Sequence, residues 1–194
     1  MIVSLTGFMG SGKSSVGKVL AEKLSCPFVD LDSLIETGEG RSIPEIFASG
    51  GEALFRSLEL KYLDTLLDGA AAPQGLAVTK ASPKGSPWSV PTAPIDIVLA
   101  LGGGTLTKEE CAELVREKTF CVYLRASAET LVENLRGSEE GRPMLAGGSL
   151  EDKVEELLAK RESLYEGTAR AIIDTDGQTY GETAEAVIAV LALS

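Results

Sequence analysis

The chain has 194 residues, 44% hydrophobic and 24% charged, which suits one domain with a single sizeable core. Its formal net charge is −11, so it has no basic face with which to neutralise a polynucleotide backbone, although local amides and a few cations can still hold one nucleotide. Histidine is absent, which removes His general bases, Ser-His-Asp triads and His-ligated metals. The three cysteines, Cys26, Cys111 and Cys121, form no C-x-x-C and read as free thiols of a reducing compartment.

Residues 2–5 are a short apolar run that reads as a buried strand, leading into the glycine loop. The N-terminus lacks a basic segment ahead of that run, and no apolar stretch reaches the ~18 residues of a membrane helix, so a cytoplasmic protein without membrane partners is expected. Next comes Gly7-Phe8-Met9-Gly10-Ser11-Gly12-Lys13-Ser14, which fits G-x-x-x-x-G-K-[ST] without mismatch. Between a strand and a helix such a loop cradles nucleotide phosphates: glycines allow the amides of Gly10, Ser11 and Gly12 to turn inward, and the helix directs its positive end at the same point. Lys13 is expected to reach the β- and γ-phosphates, Ser14 to ligate Mg²⁺, and Ser15, next in the helix start, to bind ATP with them.

Residues 13–24 carry apolar positions at helical spacing, and 28–31 read as a second strand. Asp30 and Asp32 follow; strand alternation places both carboxylates on one side, near the mouth of the loop, and a helix N-cap for a 33–36 turn is the alternative. Residues 43–67 read as helix in two pieces, with Pro44 in the first turn. Residues 97–101 are an apolar strand ending in Gly102, Gly103 and Gly104. Thr107 with Glu110 reads as a capping box opening a helix to 116. A strand over 120–124, helices over 128–136, 150–165 and 183–193, and a last strand over 171–173 complete the pattern. Strands alternating with helices imply an α/β fold, a central parallel sheet of about five strands with helices on both faces, whose ligands bind at the carboxyl ends of the strands.

Two stretches stand apart. Residues from about 69 to 95 hold five of the eight prolines and the only Trp, and read as an insertion away from the chemistry within a single 1–194 domain. The glycine-punctuated run from about 137 to 148, containing Arg142, reads as a closing lid. Arg56, Arg142 and Arg161 each pose the same choice, a surface ion pair or a clamp on an anion. Asn-Lys-x-Asp is absent, which speaks against a guanine-reading GTPase.

The motifs GFMGSGKS, FVDLDSLIE, GRSIPEIFASGGEALFR, LALGGGTL, GRPMLAG, KRESLY and IIDTDG together resemble the shikimate kinase family, in the family's order and over nearly the whole chain except 69–94. The resemblance implies a P-loop kinase fold and transfer of the ATP γ-phosphoryl group to the 3-hydroxyl of shikimate, with Mg²⁺ as cofactor, in a monomer. It also implies roles: Asp32 as the aspartate at the acceptor hydroxyl, Asp30 near Mg²⁺, Arg56 and Arg161 on the substrate carboxylate, and Gly103 and Gly104 as backbone against the substrate. Phe47 and Phe55 match pocket walls, Arg142 the lid arginine at the phosphates, and Arg136 an arginine stacking on adenine. Tyr180 stands near a place where relatives often carry a proline. Since a loose transition state asks little of a base, Asp32 needs no raised pKa. Rival readings are another small-molecule kinase such as a gluconate kinase, a nucleoside-monophosphate kinase, and a regulatory P-loop module without turnover.

Overall fold

The computed structural model describes residues 1–68, 95–136 and 149–193. The expected insertion and lid fall almost wholly outside them. Five strands, β1 (Ile2–Thr6), β2 (Phe28–Asp30), β3 (Ile97–Ala100), β4 (Thr119–Arg125) and β5 (Ala171–Asp174), form one sheet in the order β2-β3-β1-β4-β5, and every pairing is parallel. The order places β1 between β3 and β4, so successive connections leave it in opposite directions and a crevice opens at its carboxyl end.

Strand alternation divides the apolar residues between the two faces. Val3 and Leu5 of β1 and Val122 and Leu124 of β4 pack with Val16 and Leu20 of α1 (Lys13–Leu24) and Val187 and Leu191 of α7 (Tyr180–Leu191). Leu99, Cys121 and Tyr123 face the opposite way, onto the remaining helices. These are α2 (Leu31–Glu39), α3 (Ile43–Leu67), α4 (Glu109–Lys118), α5 (Ala128–Leu135) and α6 (Leu150–Thr168). Cys111 and Cys121 are buried and Cys26 half-buried, all free, and burial pushes the Cys26 thiol up to about 11.

Local chemistry sets the element ends. Helix α1 starts at Gly12, whose φ of 84° suits only a residue without Cβ. Helix α3 opens on a capping box, the Glu45 carboxylate accepting from Ser42 N–H at 2.7 Å, and bends at Gly51, where φ is 66° and ψ −167°. This is the expected two-piece helix.

Two local expectations are corrected. The residues after β2 form a nine-residue helix rather than a short turn, because the Asp30 carboxylate caps it by accepting from Ser33 N–H at 3.2 Å. Thr107 does not cap α4: its backbone N–H donates to Gly104 O at 3.0 Å, closing a 3-10 turn over Thr105–Thr107, and Lys108 stands at the N-cap, so the helix starts at Glu109.

Candidate active site

Three loops meet at the carboxyl ends of β1, β2 and β3 and enclose a cleft of about 270 Å³. From the first loop come Gly10, Lys13 and Ser14; from the second, Asp30 and Asp32; from the third, Gly103 and Gly104. Helix α3 contributes Phe47, Phe55 and Arg56, and α6 contributes Arg161. Residues from five separate stretches of sequence thus share one cavity.

The phosphate loop is built as its sequence requires. Gly10 and Gly12 both have φ of 84°. Lys13 is buried, and its ammonium donates to Gly7 O at 2.9 Å and Phe8 O at 2.8 Å, which holds it across the loop mouth. Ser11 is buried within the loop, and Ser15 is half-buried in the first turn of α1. Ser14 is exposed at the start of α1 and donates to Asp30 Oδ2 at 2.5 Å. A hydroxyl and a carboxylate oxygen side by side at a phosphate loop are the hard oxygen donors that suit Mg²⁺, which takes one or two protein ligands and fills its remaining positions with water and phosphate. Among the described residues no group of three or more acidic, His or Cys side chains could hold a metal ion by itself.

Asp30 and Asp32 both reach the cleft, but not by strand alternation. Asp30 ends β2, whereas Asp32 sits in the first turn of α2. Asp32 is half-buried as a residue, yet its Oδ1 is shut off from solvent and finds no hydrogen-bond partner among the described residues. Burial, then the nearby charges of Glu59 and Asp30, push its pKa up to about 7, against the opposing pull of Lys13 and Arg56. The reaction alone does not require a raised value; the surroundings set it.

The two arginines differ. The Arg56 guanidinium pairs with Glu59 and, at 2.9 Å, with Glu52, and it lies 5.5 Å from the Phe55 ring centre. Burial pulls its pKa down, but the two carboxylates outweigh that and hold it above the ordinary value. Arg161 is only 4% exposed and donates to Gly103 O at 3.2 Å. No carboxylate among the described residues pairs with it. A buried cation without a counter-ion is unfavourable unless an anion arrives, and this one faces the cleft. Phe47 and Phe55, with ring centres 5.1 Å apart, give the cavity an apolar wall beside these charges.

One residue expected on the nucleotide side does not line the cleft. Arg136 follows the end of α5, is well exposed, and pairs with Glu151 at 3.4 Å. Arg142 lies outside the described residues. Tyr180, 54% exposed at the start of α7, lies beside the loop: a Cβ on Gly12 would stand 3.2 Å from its ring.

Sequence reasoning missed Glu59. It is fully buried, pairs with Arg56, and accepts from Thr105 Oγ1 at 2.5 Å. The signal was present: Glu59 lies three residues after Arg56 on one helix, a spacing that places the two side chains on the same face.

A family model described as shikimate kinase matches residues 9–72 and 90–192. A shikimate kinase of Chlorobium chlorochromatii is 38% identical over 192 residues, covering 95% of this chain and 87% of the relative. Among solved structures, shikimate kinase from Acinetobacter baumannii in complex with shikimate superposes with a TM-score of 0.82 at 29% identity, covering 98% of this chain and 92% of that one. A gluconokinase from Sinorhizobium meliloti matches with a TM-score of 0.51 at 17% identity over 98% of this chain and 91% of its own, a likeness of fold alone. With the family model spanning most of the chain and the curated relative alike over nearly its full length, this chain belongs to the shikimate kinase family.

Proposed function

We propose that this chain transfers the γ-phosphoryl group of ATP to the 3-hydroxyl of shikimate, giving shikimate 3-phosphate and ADP. The observation that carries the reading is Arg161, a buried guanidinium with no carboxylate partner among the described residues, facing the same cleft as Arg56, Asp32 and the phosphate loop. A small apolar ring bearing one carboxylate and several hydroxyls complements that lining. The carboxylate supplies Arg161 with its missing charge, Phe47 and Phe55 cover the ring, and the hydroxyls are left toward Asp32 and the loop.

In this reading the amides of Gly10, Ser11 and Gly12 and the N-terminus of α1 hold the ATP phosphates. Lys13 exchanges its hold on the Gly7 and Phe8 carbonyls for the β- and γ-phosphates, while Ser15 supports the start of α1. Ser14 and Asp30 hold Mg²⁺, which neutralises phosphate charge when bound. Arg56 and Arg161 orient the acceptor, and the backbone of Gly103 and Gly104 lies against it. Asp32 accepts the hydroxyl proton as the oxygen attacks the γ-phosphorus. A pKa near 7 leaves this carboxylate a fair proton acceptor near neutral pH. Arg142 and Arg136 complete the nucleotide side on the strength of the motif resemblance, and Tyr180 stands beside the phosphate loop at Gly12. We further propose a single kinase domain that acts as a monomer in the cytoplasm; no described helix is long and apolar enough to cross a membrane.

Titration of the protein with shikimate and with its methyl ester tests the clamp. Shikimate is expected to bind and the ester to bind at least tenfold more weakly, because the ester leaves Arg161 unpaired. Equal affinity for the two would remove the carboxylate from the account.

A further inference from the structure

The carbonyl oxygen of Gly103 is the point in the cleft where side-chain donors converge. Arg161 donates to it at 3.2 Å and the Tyr165 hydroxyl at 2.5 Å. Both come from α6 at a spacing of four residues, which stacks them on one helix face. Tyr165 is 1% exposed, and its ring packs against Tyr123 with centres 5.1 Å apart, so the hydroxyl has little freedom to point elsewhere. Burial also pushes its pKa up, keeping the phenol a donor.

A trans peptide unit is planar, and its carbonyl points opposite to the N–H of the next residue. Anchoring the Gly103 carbonyl toward α6 therefore turns the Gly104 N–H away from α6. Gly104 is buried and closely packed on Arg56: a Cβ there would stand 2.3 Å from Nη2. Among the described residues nothing accepts from its N–H. Buried amides are satisfied as a rule, so one left open in a cleft calls for a ligand oxygen.

We infer that Tyr165 is a positioning residue for the acceptor: by holding the Gly103 carbonyl, its hydroxyl presents the Gly104 N–H to the cleft as a third donor alongside Arg56 and Arg161. The inference rests on the reading that this cleft takes shikimate. Tyr165 touches neither substrate in this arrangement and acts through the peptide it fixes.

The test is steady-state kinetics of Tyr165→Phe, which deletes the hydroxyl and keeps the stacked ring. KM for shikimate is expected to rise about tenfold, as loss of one buried hydrogen bond predicts, while kcat and KM for ATP stay within about twofold. Tyr165→Met gives the same comparison should the Phe variant fold poorly. An unchanged KM for shikimate overturns the inference, as does an equal loss on the ATP side, which would mark a merely structural tyrosine. If the wild-type protein turns over no shikimate at all, the functional reading itself fails and this inference with it, a result distinct from either of the other two.

Discussion

At the scale of single residues, the account turns on how charges are arranged inside the cleft. Asp32 carries a pKa of about 7 when folded against an ordinary 3.8, so the folded protein holds a proton that the unfolded chain releases. Stability associated with this group is therefore fully present below about pH 4 and is lost as pH rises through 7. Asp32→Asn removes the effect: relative to wild type, the variant is expected to be more stable at pH 8 than at pH 5, by about 3 kcal/mol, as measured by chemical denaturation. The same variant should lose about a hundredfold or more in kcat while ATP binding survives. For the wild type, kcat/KM for shikimate should rise with pH and level off above an apparent pKa near 7, since that ratio reports the free enzyme. A flat profile between pH 5.5 and 8.5 would remove Asp32 as the base.

The arginines give a second prediction at this scale. Arg56→Ala strands Glu59, a fully buried carboxylate, and is expected to lower Tm as well as to weaken shikimate binding by ~2–5 kcal/mol. Arg161→Ala removes a buried charge that has no carboxylate partner among the described residues. It should leave the Tm of the unliganded protein unchanged or higher, while raising KM for shikimate at least as much. A shared fall in Tm would contradict the difference drawn between them. The motifs identified both arginines but not this difference, which depends on which carboxylates the fold brings within reach.

At the scale of elements, periodicity and capping chemistry read most of the chain correctly, and the misses have physical causes. Lys13–Leu24 was legible because its apolar positions repeat at helical spacing and a glycine loop marks its start. Helix α2 was not, although Leu31, Leu34 and Ile35 recur at helical spacing, because it follows the strand without a break and its cap, Asp30, also belongs to that strand. Thr107 and Glu110 have the spacing of a capping box, but Thr107 is drawn into the 3-10 turn over Thr105–Thr107 and Lys108 stands at the N-cap, an outcome that sequence does not reveal. Gly104 illustrates the link from element to function. Its turn packs so closely on Arg56 that Gly104→Ala is expected to displace the guanidinium and raise KM for shikimate more than KM for ATP in steady-state assays. Equal effects on both constants would mean that the turn serves the fold in general.

At the scale of the whole molecule, the sheet order explains why widely separated motifs act together. The strands β2, β3 and β1 are neighbours, so their three carboxyl-end loops border one crevice although they lie up to about a hundred residues apart in sequence. Parallel strand order follows from the alternation of elements, but the choice of neighbours does not: the gathering of the loops at the carboxyl ends was legible from the pattern, whereas the place of Arg56 and Arg161 in the cleft was legible only through the family resemblance. The family model passes over residues 73–89, within the proline-rich stretch. Deleting those residues is expected to leave turnover unchanged, and a folded deletion variant without activity would show that the stretch serves catalysis.

The central claim is that Arg161, Arg56 and Asp32 direct the phosphate loop toward one small carboxylate-bearing alcohol. The most direct test is ADP release by the purified protein with Mg²⁺ and ATP in parallel reactions containing shikimate, gluconate, AMP, CMP or no acceptor. The account predicts rapid release with shikimate alone and background rates in the other four. Comparable or faster release with gluconate or a nucleoside monophosphate, or no stimulation by shikimate, would contradict it.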